Sequence, residues 1–374
     1  MFSSMKYLVF VIISVFIISC GFDKTDQTHV IKGYDSAQNE AVPHFQARFA
    51  RLSDDVPIKQ IHNVYIVKGQ LVVAISTGVF CYDMEGNFIR EISHKGRASN
   101  EWITVGPLIV DETNGNLEIF DTSSDKVLRF SLDGSFLGSS NLPERLFTVY
   151  QAESLPDGRT VFTHGLINDS GVLYSIEDST YAVESSFRTY LSTDGACERI
   201  GKHPLSVHDG DIKAVFPFDN HIYSLRDNKL YPCYTIETEK RTLSRKGLRE
   251  IDKFSFNEYI TQSENGYFVG PNNIFETSTH ILLSFFDISY ILIDKGSGET
   301  LCFSPKVGSQ LDRIAPIGIV NTSSDYFVGV IDVLKAKSLA EQMPDDCDGD
   351  VLLKIKEIAS APITSNPYVV LYQF

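Results

Sequence analysis

The stretch PLIVDETNGNLEIFDTSSDKVLRFSLDGSFLGSS, residues 107–140, decides the fold. It contains four short runs, PLIVDE, NLEIFD, KVLRFS and SFLGSS, whose β-branched and aromatic residues favour strands. The turn sequences NG, SSD and DG separate these runs, and glycine accepts a positive φ at such a tip with little cost. The stretch therefore predicts a four-stranded antiparallel meander.

Hairpins of the same kind recur along the chain. The clearest are VFCYDMEGNFIREI (79–92) and RTYLSTDGACERIG (188–201), and weaker copies lie at 221–236 and 290–303. A four-stranded meander cannot bury both of its faces alone, so successive copies must stack and close into a ring. Five copies and a closing strand predict an all-β, six-bladed β-propeller. The number of residues per blade leaves seven blades as the alternative.

The C-terminal part departs from the strand pattern. Residues 327–343 pass from a strand into a helical pattern, and residues 351–359 form a second helix-like run. Short helices are therefore expected near the closing blade. The final run, NPYVVLYQF (366–374), predicts the closing strand. Pro367 is at its start, where the strand needs no backbone N–H to donate to a neighbouring strand. We expect this strand to pair with strands near 56–75, which would remove the exposed sheet edges.

The N-terminus has the pattern of a signal peptide. Lys6 precedes an apolar run at 7–18, which is shorter than the roughly 20 residues of a membrane span. Ile17-Ile18-Ser19-Cys20 matches a lipobox, in which the chain is cut before the cysteine and its thiol receives a diacylglycerol. Acyl chains would anchor the protein to a membrane. The predicted organisation is a signal peptide (1–19), a lipidated flexible tether (20–45) and one propeller domain (46–374).

Net charge limits the classes of partner that the sequence allows, and the cysteine spacing bears on zinc binding and disulfides. The net charge of −15 repels phosphate backbones and argues against nucleic acid as a partner. We expect a monomer. Apart from Cys20, the cysteines occur in no zinc-binding motif, and the sequence leaves their disulfide pairing open; they are Cys81, Cys197, Cys233, Cys302 and Cys347.

Loops that join one blade to the next lie near the channel mouth of a propeller, and the segment 96–104 is the first such candidate. Arg97, Glu101 and Trp102 could stack on and hydrogen-bond a sugar or a peptide. In the alternative interpretation, Trp102 packs between blades and Glu101 pairs locally. We assign these three residues to a candidate ligand face.

The segment 202–213 is the second candidate. Its residues His203, His208, Asp209 and Asp211 could bind a metal or perform acid–base chemistry, and the alternative is a solvated turn. They complete the candidate ligand face.

A third segment, PDDCDGD (344–350), has the alternating aspartates of calcium loops. Its glycine is misplaced for an EF-hand, which favours a linker between helices. We therefore assign no metal ligand and no cofactor. The sequence leaves open whether the protein binds calcium.

Three features of the chain are typical of one family: the lipobox, the segment YDMEGNFIREISHKGRASNEW (82–102), and Asn366-Pro367 before the closing strand. The chain resembles, over roughly residues 45–374, the six-bladed β-propeller lipoproteins of Bacteroides-type bacteria, which are distantly similar to NHL-repeat propellers. The segment 96–102 departs from the family pattern because it keeps one glycine where the family has several. The resemblance implies the fold and a place in the cell envelope, as an outer-membrane lipoprotein that faces the periplasm or the surface. It implies no activity.

Two functions are compatible with these features. The sequence contains no G-x-S-x-G, H-E-x-x-H or P-loop motif, so we assign no catalytic residue. The first hypothesis is a binding or scaffold protein for a peptide, a glycan or a partner protein. The alternative is a metal-dependent propeller enzyme of the lactonase, esterase or lyase type, with a metal at the channel mouth.

Overall fold

A computed structural model describes residues 28–35, 45–111, 114–147, 149–164, 172–188, 203–226, 229–243, 256–286, 289–303, 318–341 and 349–374. The strands within these ranges form six sheets, which are the blades of a six-bladed β-propeller. The predicted fold is thereby confirmed, with six blades rather than seven.

The chain begins with two strands, β1 (His29–Ile31) and β2 (Gln46–Arg51), which belong to blades 4 and 6. The strands after β2 follow the chain blade by blade. Blade 1 comprises β3 (Ile61–Val67), β4 (Gln70–Ile75), β5 (Gly78–Asp83) and β6 (Phe88–His94). Blade 2 comprises β7 (Val105–Asp111), β8 (Asn116–Asp121), β9 (Lys126–Ser131) and β10 (Phe136–Asn141). Blade 3 comprises β11 (Val149–Ser154), β12 (Thr160–His164), β13 (Val172–Glu177) and β14 (Val183–Arg188).

The second half of the ring contains the helices. Blade 4 comprises β15 (Leu205–His208), β16 (Asp211–Val215), β17 (His221–Arg226), β18 (Lys229–Ile236) and the added β1. Helix α1 (Phe256–Glu264) precedes blade 5, which comprises β19 (Pro271–Glu276), β20 (His280–Phe285), β21 (Tyr290–Asp294) and β22 (Thr300–Phe303). Blade 6 comprises β23 (Ile319–Thr322), β24 (Phe327–Ile331), β25 (Tyr368–Gln373) and β2, with α2 (Val333–Ala340) and α3 (Asp350–Ser360) between β24 and β25.

Apolar layers lie between neighbouring blades. Val72 and Cys81 of blade 1, for example, belong to the same buried cluster as Leu108 and Leu117 of blade 2. Each blade is covered on both faces, so its central strands are apolar at consecutive positions; residues 71–75 of β4 are all buried. The two helices of blade 6 add Leu352 and similar side chains to the layer there. The prediction of short helices near the closing blade is confirmed.

The ring closes through β2 and β25, which pair antiparallel from Gln46 opposite Gln373 to Arg51 opposite Tyr368. The prediction that the final strand pairs with strands near 56–75 is wrong. Those residues form the first two strands of blade 1, whereas β2 lies earlier in the chain and is the outer strand of blade 6.

Part of the predicted flexible tether is ordered against blade 4. Strand β1 pairs in parallel with β18, and Ile31 is fully buried. The ring of Tyr34 lies 5.3 Å from Phe268 and 4.8 Å from Phe285, measured between ring centroids. The prediction of a flexible tether over 20–45 is therefore wrong for residues 28–35, because Ile31 and Tyr34 fill an apolar space between blades 4 and 5. Residues 20–27, with Cys20, lie outside the described part.

The antiparallel strands give the propeller two faces. The turn face carries the turns between the first and second strands of a blade, such as 209–210, and between the third and fourth, such as 84–87. The linker face carries the connections between blades, such as 95–104, and the turns between second and third strands. Among the described residues, no helix is long and apolar enough to cross a membrane.

Candidate ligand cavity

A cavity of about 760 Å³ opens on the turn face, at the carboxyl ends of the inner strands. This volume falls within the roughly 300–1,000 Å³ typical of small-ligand sites. All six blades contribute lining residues; examples are Tyr65, Val110, Glu153, His208, Glu276 and Asn321. The cavity therefore occupies the mouth of the central channel.

Blades 2 and 3 extend the cavity with a polar group formed by Glu118, Arg129 and Tyr181. Arg129 Nε donates to Glu118 Oε1 at 2.6 Å, and Tyr181 Oη donates to Glu118 Oε2 at 2.8 Å. Arg129 Nη2 in turn donates to Tyr181 Oη at 3.2 Å. Burial raises the pKa of Tyr181 and the charge of Glu118 raises it further, so the phenol stays protonated at neutral pH and donates.

The turn that carries Tyr181 holds this residue in an unusual conformation. Its φ of +61° lies in the left-handed region, which costs a non-glycine residue roughly 1 kcal/mol. The Asp178 carboxylate accepts hydrogen bonds from the backbone N–H groups of Thr180 and Ala182 at 2.8 and 2.9 Å, and the Tyr181 ring packs against Phe120 and Phe162. The hydroxyl is therefore held in place before any ligand arrives.

Side-chain amides join the inner strands around the channel. Gln151 Nε2 donates to Leu205 O at 2.8 Å, which links blade 3 to blade 4, and Asn321 Nδ2 donates to Val64 O at 3.0 Å, which links blade 6 to blade 1. Tyr65 Oη donates to Leu108 O at 2.8 Å and links blade 1 to blade 2. These bonds tie the inner strands of neighbouring blades to one another around the channel.

The amides share one position in their strands. Each directly follows a break in strand register and is the third residue of its blade's first strand; they are Asn63, Gln151, Asn273 and Asn321. None of them was among the site residues predicted from the sequence. Alignment of the first strands of the blades (IHN, VYQ, PNN and IVN) would have revealed them.

An ion-pair network lies behind the cavity wall. Lys213 Nζ lies 2.9 and 3.1 Å from the two carboxylate oxygens of Glu276 and 2.5 Å from Asp211 Oδ2. Lys295 Nζ is a second cation beside Glu276 Oε1, at 2.8 Å. Burial alone would lower the pKa of Lys213, but the charges of Glu276 and Asp211 outweigh burial and raise it. The fully buried Glu276 carboxylate is therefore compensated.

The first predicted segment, 96–104, lies on the linker face, away from the cavity. Trp102 is fully buried between blades 1 and 2, where its Nε1 donates to Ser93 Oγ at 3.2 Å. Its assignment to a ligand face is corrected: it is a core residue. Glu101 accepts hydrogen bonds from Ala98 N and His94 Nε2, both at 2.8 Å, and these bonds lower its pKa. Arg97 is exposed and does not line the cavity.

The described part of the second predicted segment, residues 203–213, leads into a hairpin rather than one loop. Asp209 and Gly210, with φ of +49° and +79°, form a two-residue turn of the I′ kind between β15 and β16. His203 precedes β15 by two residues, on the side where the strand begins, whereas His208 is the last residue of β15, so the strand separates the two side chains. The segment therefore cannot form one site on a single face.

The individual residues of this segment have different surroundings. His203 is buried beside Phe275, with 5.2 Å between ring centroids, and Asp211 binds Lys213 and Ser224. Of the four residues that we assigned to the ligand face in this segment, only His208 and Asp209 line the cavity.

The remaining predictions fall partly outside the described residues. Cys20, Cys197, Cys347 and residues 344–348 lie there, whereas Cys81, Cys233 and Cys302 lie in blades 1, 4 and 5, where each sulfur donates to a nearby oxygen. Within the described ranges, no group of three or more His, Cys, Asp and Glu side chains could hold a metal ion. The metal-dependent enzyme stays a hypothesis.

The fold and the cavity define the class of this protein as a six-bladed β-propeller with a ligand-sized cavity at its channel mouth. Within this class, the chain belongs to the family described as domain of unknown function DUF4934, which matches residues 53–373.

Comparison with solved structures supports the same fold. A candidate exported protein of Bacteroides fragilis is 18% identical with a TM-score of 0.64, over 93% of this chain and 98% of that one. A DUF4221-family protein of Bacteroides vulgatus is 9% identical with a TM-score of 0.51, over 90% of this chain and 99% of that one. At such identities the likeness concerns the fold alone. A search of curated proteins gave no match.

Proposed function

We propose that this protein is a lipid-anchored binding protein of the cell envelope that takes up a polar ligand, such as part of a peptide, glycan or partner protein, at the channel mouth. The observation that carries this proposal is the Glu118–Arg129–Tyr181 group. Its partly exposed charges, held by the buried Tyr181 hydroxyl, stand in a fixed geometry on the wall of a cavity of about 760 Å³. Such preorganisation reduces the entropy lost when a ligand binds.

The charges of the lining indicate the chemistry of the ligand. Five carboxylates line the cavity, of which that of Glu276 is neutralised by Lys213 and Lys295. The lining also contains the guanidinium groups of Arg129 and Arg159, against the four other carboxylates, those of Asp111, Glu118, Glu153 and Asp209. This excess of negative charge favours ligands that carry ammonium, guanidinium or hydroxyl groups. Leu137, Leu155 and other apolar side chains add contact area.

The lipobox at residues 17–20 supports the cellular location that we propose. A diacylglycerol on Cys20 would hold the propeller at a membrane of the envelope, for which we propose the outer membrane. Labelled palmitate should be incorporated into the full chain and not into the Cys20→Ser variant.

A binding assay with a matched pair of variants tests the cavity. The probes are an array of glycans and a library of labelled short peptides. Ser324 is exposed at the cavity, and Ser76 is exposed in a turn on the linker face. For any probe that binds, Ser324→Trp should weaken affinity at least tenfold, and Ser76→Trp should leave it unchanged. Equal affinities in the two variants would assign the binding to another surface.

A further inference from the structure

The ligand cavity reaches from the channel mouth to the outer edge of blade 2. Its lining includes residues of all four strands of this blade, among them Val110 of β7, Glu118 of β8, Arg129 of β9 and Leu137 of β10. Three strand spacings separate β7 from β10, a distance of about 14 Å. The cavity is therefore a groove that crosses the whole blade and opens at its outermost strand.

A β-bulge in β10 places Leu137 at this groove. Phe136 lies opposite Phe130 and Gly138 lies opposite Arg129, so Leu137 is the extra residue of the bulge. Bulges of this kind change the direction of a side chain, and the exposed side chain of Leu137 lines the cavity. The outer strand of blade 2 and the ligand cavity are therefore parts of one continuous surface.

In the described part of the chain, β10 is the edge strand of its sheet. Leu142 N donates to Asp125 O at 2.9 Å, and Ser140 lies two positions earlier in the same register. Hydrogen-bonded pairs alternate with non-bonded pairs along an antiparallel ladder. Ser140 therefore bonds to β9, whereas Ser139 and Asn141 direct their backbone N–H and C=O groups outward, where a further strand could pair with them.

The outer strands of the other blades, as far as the structure describes them, are less suited to such pairing. Those of blades 1, 3 and 6 contain charged residues, such as Arg90, Glu184 and Arg48. Those of blades 4 and 5, β1 and β22, have three and four residues. Charge and shortness hinder edge pairing, whereas β10 has six residues, FLGSSN, none of them charged.

Blade 4 gives an example of an added strand within this protein. Strand β1 comes from a distant part of the chain and pairs with the outer side of β18, from His29 opposite Tyr234 to Ile31 opposite Ile236. The fourth strand of a blade in this propeller therefore accepts a short extended segment that is not its neighbour in sequence.

We propose that the ligand of the cavity is an extended peptide that adds a strand to β10 at Ser139 and Asn141 and continues past Leu137 toward the channel mouth. This inference rests on the proposed function, because it specifies the ligand of the same cavity. About four extended residues cover the distance across the blade. The excess of carboxylates in the lining favours a Lys or Arg side chain in this part of the peptide. Main-chain pairing at an edge, with side-chain contacts beside it, is an established mode of peptide recognition.

Proline at an outward-facing position of β10 tests the pairing. Ser139→Pro removes an N–H that does not bond to β9, so blade 2 keeps its ladder. Ser139→Ala keeps the N–H and is the matched control, and Asn141→Pro repeats the test at the second outward-facing position. Thermal melting should show that each variant is folded like the wild type.

The probes are phage-displayed random peptides of about twelve residues, long enough to pair with β10 and to cross the blade. They are selected on the full chain. Selected sequences should contain Lys and Arg at least twice as often as the unselected library. Ser139→Pro, Asn141→Pro and Ser324→Trp should each weaken the affinity of a selected peptide at least fivefold, and Ser139→Ala should leave it unchanged. N-methylation of alternate backbone amides of the peptide should weaken its binding to the unaltered protein by a similar factor.

An affinity that falls with Ser324→Trp, but not with the proline variants or with N-methylation, would overturn the pairing while the cavity remains the ligand site. The reverse result would refute the cavity as the ligand site, and with it the proposed function, while the pairing with β10 stands. Failure of every peptide in the library to bind would overturn the inference. A dimer in gel filtration that Ser139→Pro converts to monomers would also overturn it, because the edge would then belong to a second copy of the chain.

Discussion

The side-chain amide of Asn366 joins two parts of the chain that are 308 positions apart: its Oδ1 accepts a hydrogen bond from the backbone N–H of Ile58 at 2.9 Å. Its Nδ2 donates to Ser53 O and Val56 O, each at 2.7 Å. These bonds fix the linker between β2 and blade 1 against the start of the closing strand. The Asn366-Pro367 pair noted in the sequence is therefore part of the ring closure.

Replacement of Asn366 by alanine should destabilise the protein by about 2–4 kcal/mol, because one buried and two half-buried backbone groups would lose their partner. Urea unfolding monitored by circular dichroism measures the change. The matched control is Asn141→Ala, at an exposed position on β10, which should stay within about 0.5 kcal/mol of the wild type. Similar losses in both variants would contradict a role of Asn366 in closure.

Removal of the Tyr34 ring should loosen the attachment of β1 to the propeller. Tyr34→Ala deletes the ring between Phe268 and Phe285 and should cost about 3–5 kcal/mol. In this variant the rate of backbone amide hydrogen exchange should increase more in β1 and β18 than in the strands of blade 1. Val30→Ala serves as the control, because this side chain is 56% exposed and should have little effect. Unchanged exchange in Tyr34→Ala would mean that the ring does not hold β1.

His164 should make stability fall in mildly acidic solution. It is buried, and burial followed by the charge of Arg145 lowers its pKa to about 4. The unfolded chain, with an ordinary histidine pKa of about 6.5, binds more protons between these values. Stability should therefore decline as pH falls from 6.5 toward 4, by up to about 3 kcal/mol.

The His164→Gln variant separates this contribution from those of the carboxyl groups. Its free energy of unfolding should fall less than that of the wild type over the same pH range. Parallel curves for the two proteins would show that His164 does not titrate as its burial indicates.

Gly96 and Glu101 should be energetically coupled. A Cβ at position 96 would lie 1.8 Å from Glu101 Oε2, so Gly96→Ala must displace the carboxylate from Ala98 N and His94. We expect Gly96→Ala to lower the free energy of unfolding of the wild type by about 1–3 kcal/mol. In a protein that already carries Glu101→Ala, Gly96→Ala should have little effect. A double-mutant cycle of unfolding free energies measures the coupling, and additive effects would exclude it. The one glycine that this segment keeps is thus explained by a close approach.

The sequence by itself determined the repeated strands, the helices near the closing blade and hence a propeller ring of six or seven blades, and the structure decided for six. These features depend on short runs of β-branched and aromatic residues and on turn residues such as Asn114-Gly115 and Asp133-Gly134, which act within a few positions of one another. Trp102, as the only tryptophan, was easily recognised, but its burial between two blades was one of two alternatives that the sequence could not separate.

Only the tertiary structure decided which side chains meet at the channel. Glu118 and Tyr181 belong to different blades, and Gln151 reaches the carbonyl of Leu205 across a blade boundary. The hairpin at 205–215 likewise separated His203 from His208, although they are close in sequence. Strand direction and ring closure bring distant residues together and move near ones apart, and no local pattern encodes the distance between residues on different blades.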